Sequence, residues 1–105
     1  MDISEQFRIA GEQWVDADAA ASILEETKSA SYSKMVGKVI EENLHLAINK
    51  AEHLVKSSDE YVHLVTNMVD ARSKANKLKV QMEYLRMKFQ EGSSKEATKR
   101  AEMRL

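Results

Sequence analysis

The chain of 105 residues contains no cysteine and no proline, only three glycines, and 6% aromatic residues. Without cysteine there is no disulfide framework, no thiolate nucleophile and no cysteine-based zinc site, and the composition suits a reducing cytoplasm. Without proline, and with so few glycines and aromatics, turn-rich sandwiches and barrels are excluded and an all-α protein is expected. No window approaches the roughly 18 consecutive apolar residues of a membrane span. The start MDISEQFRIAGEQWVDAD has no basic segment leading into an apolar core, so it does not read as a secretory signal. The expected location is the cytoplasm, with no membrane partner. A domain of this length buries only about two thirds of its extended-chain surface, which argues against a deep catalytic cavity in one copy.

What the chain does have is charge, 31% of its residues, with a net value of only −1. The charge is unevenly placed: residues 1–56 carry a net −4 and residues 57–105 a net +3. Apolar or small residues recur at alternating steps of four and three, the spacing that holds them on one helical seam. Ile3, Phe7, Ala10, Trp14, Ala17, Ala21 and Leu24 form a first seam. Asp2, with Glu5 three positions on, offers its cap. Tyr61, Leu64, Met68, Ala71, Ala75, Leu78, Met82, Leu85 and Phe89 form a second, more regular one. Between them Val36, Ile40, Leu44, Ala47, Ala51 and Leu54 make a third, widened by Val39, Leu46 and Ile48.

Boundaries are placed where propensity falls. The stretch SASYSKMVG brings three serines and Gly37, which favour a turn or bend because Ser hydroxyls compete for the backbone and Gly costs about 1 kcal/mol against Ala. At KSSDEY the pattern Ser57-x-x-Glu60 suits a helix start. Gly92 breaks the last seam, and Ser93 with Glu96 suits another start. The expectation is a long helical hairpin or bundle with coiled-coil-like seams. Its helices lie near 3–29, 34–56 and 58–91, the last two either continuous or separate, and residues 92–105 form a short helix or a frayed basic tail. One cooperative domain covers residues 1–91.

Two Glu-x-x-His pairs, Glu42 with His45 and Glu60 with His63, have the spacing used by carboxylate-bridged di-metal bundles. Such ligands must point inward, and these fall on polar faces, so no metal site is assigned and a metal-binding bundle is a distant third reading. No catalytic or cofactor-binding residue is assigned either: no nucleophile, base and electrophile fall together, and no Gly-rich phosphate loop is present. Trp14 and Phe89, with Phe7, Leu24, Leu64, Met68, Leu78, Met82 and Leu85, are candidate helix-interface residues, the methionines as adaptable filler.

The stretch VDARSKANKLKVQMEYLRMKF places Arg72, Lys74, Lys77, Lys79, Arg86 and Lys88 on one amphipathic helix. With Tyr61 at heptad position a, Arg72, Lys79 and Arg86 fall at e; on the first helix Asp18 and Glu25 also fall at e. An antiparallel pair brings e beside e, so a register joining Asp18 and Glu25 with Lys79 and Arg72 is expected, within one chain or between chains. The alternative use of the six cations is sequence-independent nucleic-acid binding, without a recognisable reading motif.

The segments GEQWVDADAAASILEETK, SSDEYVHLVTNMVDARSKANKLKVQMEYLRMKF and SKEATKRAEMRL resemble a family of small helical proteins encoded by bacteriophages and prophages. The resemblance is carried by Trp14-Val15-Asp16-Ala17, Asp70-Ala71-Arg72, Ala75-Asn76 and Ala101-Glu102-Met103-Arg104-Leu105. It implies a bacterial host's cytoplasm and a place beside phage recombination or replication proteins. The functional expectation is a non-enzymatic structural or adaptor protein, homo-oligomeric, with no cofactor and no small-molecule substrate.

Overall fold

The computed structural model describes residues 1–104 and is all-α, with no strand among them; Leu105 lies outside the described residues. Three helices follow in order: α1 (Ile3–Glu42), α2 (Ile48–Lys56) and α3 (Asp59–Met103). α1 runs out, and α2 followed by α3 forms the return limb, in a rod with extents of 87 × 18 × 17 Å. At 1.5 Å per residue α1 is about 60 Å long, half as long again as a helix over 3–29 would be.

Local chemistry fixes the starts. Asp2 accepts a hydrogen bond from the Glu5 N–H at 2.8 Å and caps α1. Ser58 accepts from the Tyr61 N–H at 3.2 Å and caps α3, with Asp59 and Glu60 in the first turn, where negative charge suits the helix dipole. The cap is therefore Ser58 and not Ser57. Ser57 closes α2, donating its hydroxyl to the His53 and Leu54 carbonyls at 2.9 and 3.2 Å. The chain is interrupted there by two residues, so α2 and α3 are separate helices.

Three other boundaries differ from the sequence reading. No turn occurs at 29–34, because the four-three seam continues past Leu24 through Lys28, Ser31 and Met35, all half-buried. Packing along that line outweighs the weak propensity of the serines and Gly37. The reversal falls instead at residues 43–47, where Asn43 leaves the helical region at φ −148°, ψ 84° and Ala47 starts α2 without a side-chain cap. Gly92 does not end the third helix either. α3 runs through it without a positive φ, and ion pairs one turn apart, Glu91 with Lys95 at 3.2 Å and Glu96 with Arg100 at 3.8 Å, lie along the continuation. Residues 94–103 are thus the end of α3 and not a fourth helix.

The pairing register of α1 and α3 is antiparallel and regular. Gly11 faces the Met82 thioether, Trp14 faces Lys79, and Tyr32 faces Tyr61. Three residues forward on α1 match three back on α3, and the next eighteen match eighteen. Continued to the end of α1, this register leaves the last turns of α3, from about residue 91, with nothing opposite them; residues 91–104 are all exposed.

The buried residues are Ala10, Ala21, Ala51, Val55 and Ala75, and no large side chain is fully enclosed. Phe7, Trp14, Leu24, Leu64, Met68, Leu78, Met82 and Leu85 are half-buried along the α1–α3 junction, while Phe89 is exposed. Two helices offer each other a single line of contact. Between α1 and α3 the enclosed residues are all alanine, and larger side chains splay to either side.

Gly37 and Gly92 have ordinary helical φ, and an added Cβ would meet nothing within 4 Å. Gly37→Ala should stabilise the fold by about 1 kcal/mol, raising the melting temperature by roughly 4–8 °C. Gly92→Ala, beyond the paired region, should raise helicity with little change in the midpoint. Circular dichroism melts of both variants test this, and an unchanged midpoint for Gly37→Ala would count against a continuous α1.

Candidate functional site

The densest polar constellation is built around Arg72. From position e of α3 its guanidinium donates through Nη1 to Asp18 Oδ1 at 2.6 Å, and through Nε and Nη2 to the two Glu25 carboxylate oxygens at 3.0 and 2.7 Å. Nη2 also reaches Ser22 Oγ at 3.3 Å. Asp18, Ser22 and Glu25 stand on successive turns of one side of α1, so a planar fork with five donors can hold all three. The hydrogen bonds that Arg72 donates to Glu25 and then to Asp18 hold its pKa above the ordinary value. The same bond from Arg72 holds the Glu25 carboxyl below its own.

The heptad positions lead one to expect the two carboxylates to be divided between Arg72 and Lys79. In the structure Arg72 takes both, and Lys79 sits over the Trp14 ring at 5.9 Å from its centroid. The register explains the difference, since Lys79 lies opposite Trp14, and a single ammonium lacks the fork that spans two carboxylates. Near the reversal, Tyr32 and Tyr61 meet edge to face at 5.7 Å, and Lys56 lies 5.8 Å from the Tyr32 centroid. In the sequence the serines around Tyr32 suggest a bend and hide its place on the rim; carrying the heptad past Leu24 puts it at e, the same position as Asp18 and Glu25.

The six cations therefore divide. Arg72 and Lys79 are engaged by α1. Lys74, Lys77 and Lys88 are exposed on one side of α3, with Gln81 and Tyr84 between them, and Lys88 approaches the Tyr84 ring at 5.6 Å. Arg86 is exposed on the side that carries Arg72. His45 lies in the 43–47 connection, off the helix that carries Glu42, and His63 is exposed on α3. Among the described residues no group of three or more His, Asp or Glu could hold a metal ion, and no helix is long and apolar enough to cross a membrane.

An open groove of about 580 Å³ lies beside Arg72, lined in part by Met68, Val69 and Val80. Its ionisable groups are Glu25, Arg72 and Lys77, the first two already paired with each other. A groove of this kind suits an apolar side chain from another helix better than a reacting substrate. No protein-family model matches the chain, and no curated protein or solved structure matches it.

Arg72→Ala should lower the melting temperature more than Arg8→Ala, whose guanidinium pairs with Glu5 and Glu12 within one exposed helix; Arg72→Lys should not restore the loss. A carboxylate whose pKa is depressed by folding contributes stability that is complete above its unfolded value, about 4.3 for Glu, and is lost as pH falls through the folded value. Urea midpoints measured from pH 6 to pH 3 should therefore fall more steeply for the native protein than for Arg72→Ala. Equal slopes would show that the clamp adds nothing to the fold.

Proposed function

We propose that the protein is a non-enzymatic helical assembly element, one that self-associates and presents an extended helical surface to other proteins. The observation that carries this reading is the surplus of surface. The hairpin exposes 8104 Å², whereas a folded monomer of 11.9 kDa is expected to expose roughly 6,000 Å². The difference, roughly 2,000 Å², is more than the roughly 800 Å² per partner of a standard interface. Val15, Ile23, Val62, Val69, Val80 and Met87 are each at least half exposed, and a second copy would cover some of them. The resemblance to phage-encoded helical proteins supports a setting in the bacterial cytoplasm beside phage DNA-processing enzymes.

A second reading, sequence-independent nucleic-acid binding, is favoured by the free side of α3 that carries Lys74, Lys77 and Lys88 around Tyr84. Arg72 and Lys79 contribute little to it, being held against α1. Light scattering of the pure protein, with and without single-stranded and duplex DNA at two salt concentrations, tests both readings. The expected result is a mass of at least twice the 11.9 kDa chain without DNA. A monomer at every concentration would overturn the first reading. DNA retention that weakens with salt and is lost in a Lys74 and Lys88 to Glu variant of unchanged mass would establish the second.

A further inference from the structure

On the side of α3 away from α1, four apolar residues stand in one line. Val62, Val69, Val80 and Met87 are 50%, 56%, 67% and 60% exposed and follow one another at steps of seven, eleven and seven residues. At 3.6 residues per turn these steps keep all four within about 20° of one another, along a stripe about 38 Å long. The α1-facing seam lies roughly 150° round the helix, so the hairpin cannot cover the stripe. The residues nearest it between the apolar positions are Ser73 and Asn76, then Val65, Thr66, Glu83 and Tyr84, of which only Glu83 is charged.

The spacing is the same read from either end, with its midpoint between Lys74 and Ala75. An interface between identical copies related by a twofold axis must be self-complementary, and a palindromic stripe meets that condition. From this geometry we infer that the outer face of α3 pairs with the same face of a second copy, antiparallel, about a twofold axis at Lys74–Ala75. This rests on the assembly reading above and specifies its face and orientation. Val62 then lies opposite Met87, Val69 opposite Val80, and Ser73 opposite Asn76 at the centre, where one amide and one hydroxyl can pair and fix the register as polar residues do within apolar seams.

Charge selects the orientation. Asp70 and Lys77 flank the stripe on the same side, so the antiparallel pair sets Lys77 beside the partner's Asp70, twice by symmetry. A parallel pair would bring unlike flanks together, setting Lys77 beside the partner's Lys79 and leaving Asp70 beside an Arg72 whose guanidinium is already held by Asp18 and Glu25; like-charge juxtaposition of the first kind discriminates against that arrangement. On the other flank the antiparallel pair brings Arg72 near the partner's Lys79. Each of these cations is already drawn back onto its own α1, to Asp18 and Glu25 and to Trp14, which removes the conflict.

The chain has no native cysteine, so a single introduced thiol is unique. Val69→Cys and Val80→Cys proteins, mixed in equal amounts and mildly oxidised, should give mainly the mixed disulfide, and each protein alone should give little. Predominance of the disulfide between two Val69→Cys chains would overturn the antiparallel arrangement. A protein that is dimeric by light scattering yet forms neither disulfide must dimerise through another face, which overturns this inference and leaves the assembly reading standing. A monomer overturns both. The double variant Val69→Glu with Val80→Glu replaces β-branched residues by a better helix former; it should keep its helicity by circular dichroism while the dimer dissociation constant rises at least 100-fold. An unchanged constant would also overturn the inference.

Discussion

Two helices packed against each other share one line of closest approach, and every other feature of this molecule follows from that geometry. At the line the chain places alanine: Ala10 and Ala21 on α1, Ala75 on α3, Ala51 on α2. Such small residues let the backbones come close, but a methyl group is a small apolar payload. Fully burying a Leu or Phe is worth roughly 1.5–3 kcal/mol, and the larger seam residues here stay part-exposed. A helix lying alongside both α1 and α3 would complete their burial, but α2 instead extends the return limb against α1.

Because the seam is thin, its register needs help from the rim. Heptad seams made of alanine and flexible methionine accept a slip of seven residues with little loss of packing. The Arg72 clamp does not. A slip of one heptad in one direction would carry Arg72 away from Asp18 and Glu25 toward Lys28, and in the other toward Trp14, leaving the carboxylates without their partner. Exposed ion pairs add little net stability, so the clamp acts chiefly by raising the energy of the wrong alignments. The Trp14–Lys79 and Tyr32–Tyr61 contacts do the same work further along, each joining an aromatic residue of one seam to a rim residue at e on the facing helix.

This division between seam and rim decides what could be read from the residues alone. The seams over Ile3 to Leu24 and Tyr61 to Leu85 are legible because apolar residues occupy nearly every heptad position. That Asp18, Glu25 and Arg72 share one rim is legible because all three sit at e; that Arg72 takes both carboxylates is not, because Lys79 sits at e as well. The course of α1 beyond Leu24 is not, because the seam positions there are Lys28 and Ser31, whose aliphatic or small groups pack while their polar atoms disguise the pattern. The reversal at residues 43–47 is hidden for the opposite reason: Leu44 and Leu46 keep an apolar rhythm going through a segment that is not helical. Gly92 misleads because a glycine costs a helix about 1 kcal/mol without forbidding it, and no proline stands nearby to enforce a stop.

The outer side of α3 carries the argument from stability toward function. One helix here has three uses: the seam toward α1, the Val62–Met87 stripe opposite it, and between them a side carrying Lys74 and Lys88. In an antiparallel pair formed through the stripe, like flanks of the two copies lie side by side, so these cations from both copies emerge on one surface of the pair. Counterion release scales with the number of phosphates neutralised, and two aligned cationic sides would then bind a polyanion far more tightly than one. Assembly and nucleic-acid binding are in that case sequential, not competing, uses of the same helix. Weakening the stripe should depress DNA retention even with every lysine in place, whereas removing the lysines should leave the pair intact.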